Sequence, residues 1–234
     1  LMPLLSAARS LASVVFPELC LGCGAPARDA VPLCAPCLRR LPRADPDAVR
    51  AELAQRGAGA DLPAAALWRF DAGGTVQRIQ HALKYRGRPG LGVPLGAFLA
   101  KAFLADVQDW RPDAVAPIPL SRVRQLERGY NQAAGLAEGA ADALGAVFAP
   151  DLLVRTRPTL SQTRLSHDAR WTNVRGAFVL ADGADVSGAR LLLVDDVLTT
   201  GATLLAAAEP LREAGASIGV ATPARSAKSS IRSK

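Results

Sequence analysis

Nine consecutive residues, Asp195-Asp196-Val197-Leu198-Thr199-Thr200-Gly201-Ala202-Thr203, bring two opposed chemistries together. Thr199, Thr200 and Thr203 offer three hydroxyls. With Gly201 and Ala202 they also offer backbone N–H groups at what reads as the start of a helix. Such a turn cradles a phosphate dianion, and Gly201 permits close backbone approach. Asp195 and Asp196 repel an anion; they suit sugar hydroxyls or a hydrated Mg²⁺. A phosphate at one end and a diol at the other describe a ribose 5-phosphate. A nucleotide-binding acid of the Walker B kind needs a Gly-Lys phosphate loop, and the chain contains no Gly-Lys dipeptide. The plain alternative is a strand–turn–helix capped by Thr and Asp.

The second chemical cluster is Cys20-Leu-Gly-Cys23 followed by Cys34-Ala-Pro-Cys37, the chain's four cysteines. Two C-x₂-C knuckles supply four tetrahedral thiolates, the set that structural zinc takes, and leave no open position for catalysis. Two disulfides or a redox pair are the rival readings. Residues 1–17 are apolar, but they lack a basic leader and Arg9 interrupts them. They read as an amphipathic helix rather than a signal peptide, which favours zinc in a cytoplasmic protein.

The elements that must position these residues follow from the hydrophobic pattern. Leu191–Val194 is a continuous aliphatic run, as in a strand covered on both faces, and the helix after the turn begins near Thr203. Ala114–Ile118 is a second short strand, with a helix starting near Asn131. Leu152–Val154 is a third, and Thr75–Arg86 is an amphipathic helix carrying His81 on its surface. Strands alternating with helices predict a parallel sheet with helices on both faces. Ligands then bind beyond the carboxyl ends of the strands. Arg122, Arg124 and Arg128 lie in such a position, between strand and helix, and make either an anion site or a solvated basic turn. The chain divides into 1–63 (helix, cysteine knuckles and a linker or variable segment from Pro42 to Pro63 whose alanines could form a helix), 64–224, and a basic disordered tail at 225–234.

The run Val194–Thr203 resembles the phosphoribosyl-pyrophosphate (PRPP) loop of type I phosphoribosyltransferases, a hydrophobic strand then DD-x-x-TTG-x-T. The resemblance implies that the Thr/Gly part wraps the 5-phosphate and that Asp195 and Asp196 contact the ribose hydroxyls and serve catalysis. The polar segment Thr156–Asn173 would then be a lid. It would keep water from the oxocarbenium character that forms as pyrophosphate leaves C1, and its arginines would stabilise the leaving group.

The order of further motifs sharpens this. The knuckles, A-L-K-Y-R-G-R (82–88), P-I-P-L-S-R…R-G-Y-N-Q (117–132), T-x-x-Q-x-x-L-S…R-x-x-N (159–173) and G-A-F (176–178) resemble the ComF family throughout. Tyr130 stands where that family usually has Phe. The resemblance implies a zinc ribbon ahead of a phosphoribosyltransferase-like fold, and PRPP bound with Mg²⁺. It places Pro119, Ser121, Arg122, Arg124, Arg128, Gly129, Asn131 and Gln132 in a pyrophosphate loop. Gln162, Arg164, Arg170 and Asn173 fall in the lid. It also implies a role in DNA uptake during natural competence, with single-stranded DNA or competence proteins as partners. The oligomeric state stays open. A transferase and a PRPP sensor without turnover are both compatible with the motifs, because no acceptor-binding element is identifiable after residue 204.

Composition sets the outer limits. Apolar residues are 50% and charged residues 21% of 234, which excludes a largely disordered chain, and no apolar run approaches a membrane span of ~20 residues. The net charge is +7, but the last ten residues supply +4 of it, and Trp68, Trp110 and Trp171 are scattered. Charge therefore permits nucleic-acid binding without arguing for it.

Overall fold

In a computed structural model of the chain, the structure describes residues 19–27, 31–59, 61–85, 89–157 and 174–226. The expected N-terminal helix, most of the lid with Gln162, Arg164, Arg170 and Asn173, and nearly all of the tail lie outside the described residues.

Five parallel strands form one sheet in the order β1 (Ala64–Arg69), β7 (Ser217–Arg225), β6 (Arg190–Val194), β2 (Ala114–Pro117), β3 (Val147–Phe148). The central strands β6 and β7 are buried almost throughout, as strands covered on both faces must be. On one face pack α3 (Thr75–Tyr85), α4 (Gly92–Asp106) and α6 (Gln132–Leu144), through Ile79, Leu95, Leu99 and Leu136 against Leu192 and Val194. The knuckle residues Leu21, Val31 and Leu33 join this same core. On the other face pack α2 (Pro46–Ala54) and α7 (Ala202–Glu213), through Leu53, Leu204 and Leu211 against Leu191, Leu193 and Val220. The parallel sheet flanked by helices is the fold class expected from the sequence. Among the described residues no helix is long and apolar enough to cross a membrane.

Two local expectations change. The strand near 152–154 is β4 (Leu153–Arg155), and it does not join the parallel sheet. It pairs antiparallel with β5 (Phe178–Leu180). Val154 and Val179 are 45% and 41% exposed, so this pair has one wet face, which an antiparallel pair tolerates and a parallel interior strand does not. The stretch after β2 is not simply a loop. It contains a short helix, α5 (Arg122–Arg128), started by the Ser121 side chain accepting from the Arg124 N–H and ended at Gly129 with φ 75°.

The segment read as a linker contains α2, capped by Asp45 with Pro46 in its first turn, and the helix buries Val49, Glu52 and Leu53. Residues 42–44 also cover the outer edge of β1, with Ala44 N–H donating to Leu67 O and Arg69 N–H to Pro42 O. The cysteine segment ends in α1 (Ala35–Arg40).

Candidate functional site

The carboxyl ends of β2 and β6 open into a cavity of about 290 Å³. Their ends are held side by side where the Ile118 N–H donates to Val194 O at 2.8 Å, and the Asp195 N–H donates across to Ala221 O of β7. Asp195, Asp196, Thr199, Gly201, Ala202 and Thr203 all line this cavity, together with Pro119, Arg128 and Gln132. Gly201 adopts φ 74° as the N-cap of α7, so the chain turns sharply into the helix and places that N-terminus at the cavity. Thr200 is buried beneath the turn, where its Oγ1 accepts from the Ala202 N–H at 3.4 Å. It shapes the loop from behind.

The two acids differ sharply. Asp196 is only 5% exposed, and its Oδ2 lies 2.7 Å from the Lys84 ammonium and 3.3 Å from Gln132 Nε2. Its backbone carbonyl accepts from Gln80 Nε2 at 2.7 Å. Asp195 is partly exposed. Burial first, then the neighbouring Asp196 charge, push its carboxyl up to about 7, against the pull of the Asp196 N–H and of Lys84. One acid is therefore locked in an ion pair, and the other faces the opening close to its protonation midpoint at neutral pH.

The same cavity also carries cations. The Arg128 guanidinium sits 5.5 Å over the Tyr85 ring, and its Nε and Nη1 are buried with no hydrogen-bond partner among the described residues. Arg155, delivered by β4, stacks 5.2 Å over Phe178 and donates to Pro119 O. Both arginines and Lys84 line the cavity.

Sequence reasoning did not place Lys84 or Arg155 in the site. Lys84 sits in the A-L-K-Y motif, but a single lysine on an amphipathic helix looks like any solvated one. Arg155 sits just before the polar segment 156–173, where nothing in the local sequence sets it apart from the other arginines.

The remaining residues of the expected pyrophosphate loop act on the backbone. Ser121 and Gly129 bound α5. Asn131 caps α6 by accepting from the Ala133 N–H and ties it to β2 by donating to Ile118 O. Arg122 and Arg124 do not line the cavity; Arg124 pairs with Glu127 at 3.0 Å. The Tyr130 hydroxyl, the departure from the usual Phe, donates to Leu83 O at the end of α3.

The four cysteine sulfurs lie within 4.8 Å of one another. The Cys20–Cys34 and Cys23–Cys34 sulfurs are each 3.7 Å apart, close to the ~3.8 Å edge of a tetrahedron whose Zn–S bonds are ~2.3 Å. Burial alone would raise the Cys20 thiol. Backbone N–H groups of Cys34, Cys23 and Gly22 outweigh it and bring the thiol down to about 6. Cys37, hydrogen-bonded to the Cys34 sulfur and partly shielded from water, is pushed up to about 12. The donor set and its spacing fit zinc. The knuckle is seated on α3 by Arg78, which donates to Leu21 O at 2.6 Å and Gly22 O at 3.3 Å.

The family model of the phosphoribosyl transferase domain matches residues 91–234, more than half of the chain. The chain is 30% identical over 123 residues to DNA utilization protein YhgH of Salmonella typhi, covering 51% of this chain and 53% of that one. It is 38% identical over 88 residues to competence protein F of Haemophilus influenzae, covering 37% and 38%. The chain thus spans about half the length of the first of these relatives and less of the second. Among solved structures, a phosphoribosyltransferase from Corynebacterium diphtheriae covers 76% of this chain, and 83% of its own chain, at 24% identity and a TM-score of 0.34. With the family model spanning the sheet from α4 onward and the acid–threonine turn at its centre, the chain belongs to the phosphoribosyl transferase domain family and is ComF-like within it.

Proposed function

We propose that the β6–α7 crevice binds PRPP together with Mg²⁺, and that the protein uses this site in handling DNA taken up from outside the cell. The observation that carries the ligand reading is the buried Nε and Nη1 of Arg128, without a hydrogen-bond partner among the described residues, in a cavity that the paired acids also line. Buried donors left without acceptors are costly unless an anion completes them. In this reading Thr199–Thr203 and the N-terminus of α7 hold the 5-phosphate. Asp195 accepts from the ribose hydroxyls, and the cationic wall takes the diphosphate. Mg²⁺, when bound, supplies charge neutralisation between the diol and the diphosphate. The four cysteines hold one structural Zn²⁺.

Support for the DNA role comes from the names of the relatives, a DNA utilization protein and a competence protein. In this reading the protein works in the cytoplasm, with single-stranded DNA or competence proteins as partners. A salt-dependent mobility shift with a single-stranded oligonucleotide tests that part.

Calorimetric titration with Mg·PRPP tests the site. Wild-type protein is expected to bind, and the Asp195→Asn, Asp196→Asn double variant to lose binding; undiminished binding by that variant refutes the assignment. A second reading, ligand sensing without transfer, is favoured by α7 itself. Beyond Leu204 the helix carries Ala206, Ala207 and Ala208, all buried, and none of these three side chains has a polar group to read a base. Pyrophosphate release with any nitrogenous acceptor would decide for the enzyme.

A further inference from the structure

The geometry points to Lys84 as a diphosphate-binding residue whose ammonium is fixed at the cavity wall by Asp196, an inference that rests on the PRPP reading above. Asp196 spends its charge internally: its side chain is 7% exposed, and Lys84 and Gln132 both address Oδ2. An acid so engaged is a poor partner for a mobile sugar. It is well suited to holding a cation.

Lys84 is one turn beyond Gln80 on the same face of α3. Gln80 pins that face to the Asp196 carbonyl, and the Tyr130 hydroxyl pins the end of the helix through Leu83 O. A lysine is ordinarily a flexible point charge. Here the helix that carries it is pinned at Gln80 and Leu83, its ammonium is paired with Asp196, its side chain is 22% exposed, and it lines the cavity. The ion pair occupies one of the three ammonium protons, leaving two for a ligand.

Position selects the diphosphate. The 5-phosphate cradle lies at Thr199–Thr203, whereas Lys84 stands at the acid end, where the ribose diol and the C1 substituent would lie. The cavity wall carries three cations, Lys84, Arg128 and Arg155, against two carboxylates. That excess suits a polyanion better than a neutral sugar. The two acids thus divide the work: Asp195 meets the ribose, and Asp196 acts through Lys84 as a positioning residue.

Titrations of wild type, Lys84→Met, Lys84→Arg and the Lys84→Met, Asp196→Asn double variant, each with Mg·PRPP and with ribose 5-phosphate, test this. Loss of Lys84 is expected to weaken Mg·PRPP about tenfold or more, the usual effect of removing a charged hydrogen-bond donor, and to leave ribose 5-phosphate within about twofold. Lys84→Arg is expected to retain most PRPP affinity. The double variant removes both members of the pair, so it leaves no buried unpaired charge. Should Lys84→Met alone fail to fold, the double variant is expected to give the same selective loss. Equal weakening of both ligands, or unchanged PRPP binding, overturns the role of Lys84 while the site stands. Wild-type protein that binds neither ligand overturns the site itself, and this inference with it.

Discussion

Leu53 of α2 lies directly beneath Gly201 of the phosphate turn: a Cβ added to Gly201 would fall 2.6 Å from Leu53 Cδ2. Gly201 also holds φ 74°, a conformation that costs a residue with a Cβ about 1–3 kcal/mol. Gly201→Ala is therefore expected to destabilise the fold by about 2–3 kcal/mol in urea denaturation and to weaken ribose 5-phosphate binding. In the Gly201→Ala, Leu53→Ala double variant the clash is gone but the backbone strain remains. Its total loss should be smaller than the sum of the singles, and strict additivity would mean that the two residues do not touch.

That relationship also marks where the sequence was readable. The aliphatic run at 191–194 ending in two acids, and the paired cysteine knuckles, are local patterns whose chemistry follows from adjacent residue types. Leu53 was not legible as the floor of the site, because contact between α2 and the turn depends on how the chain returns across the sheet. The capping signal at Asp45-Pro46 and the Val49/Leu53 spacing were present, but they lay in a stretch dominated by charge and glycine. The edge strand β1, rich in alanine, gives a weak strand signal. The glycine and proline within β7 obscure a strand that proves central. Lys84 and Arg155 reach the cavity only through tertiary packing, so no spacing rule could have placed them there.

Asp195 makes stability depend on pH in a definite direction. Its folded value of about 7 lies above the ~3.9 of an unfolded aspartate, so the folded state keeps a proton that the unfolded chain releases. Its favourable contribution is complete below about pH 4, declines as pH rises, and levels off above about pH 7. Wild type should therefore lose stability relative to Asp195→Asn across that window, which thermal melts from pH 4 to 8 can follow. Parallel pH curves for the two proteins would remove the assignment. If ribose hydroxyls donate to the carboxylate, Mg·PRPP binding near pH 7 should also release a fraction of a proton, seen as a dependence of the calorimetric heat on buffer ionisation enthalpy.

Zinc should couple the cysteine cluster to the crevice. Arg78 ties the knuckle carbonyls to α3, and the same helix carries Gln80 and Lys84 to Asp196. Elemental analysis is expected to give close to one zinc per chain, and Cys37→Ser to lose it. Gly22→Ala should have a similar effect, because its Cβ would meet Cys37 Sγ at 2.6 Å. Because zinc binding in such a ribbon is folding free energy, chelation should lower the melting temperature and weaken Mg·PRPP binding together. Chelated protein with an unchanged melting temperature would show that the sulfurs pack without metal.

Glu52 and Arg225 test whether α2 supports the site through charge as well as through Leu53. Their ion pair, at 2.9 Å with side chains 8% and 18% exposed, joins α2 to the end of β7. There the Leu198 N–H donates to Ala224 O and the Ser226 N–H donates to Leu198 O, so the pair braces the strand that holds the acid–threonine turn. Glu52→Gln strands a largely buried guanidinium and is expected to cost about 3 kcal/mol. Replacing both partners, as Glu52→Leu with Arg225→Met, removes the desolvation penalty along with the attraction and should restore most of that loss. Ribose 5-phosphate affinity then separates two roles. If the double variant recovers stability but not affinity, the ion pair sets the position of the turn; if both recover, its contribution is to the fold alone.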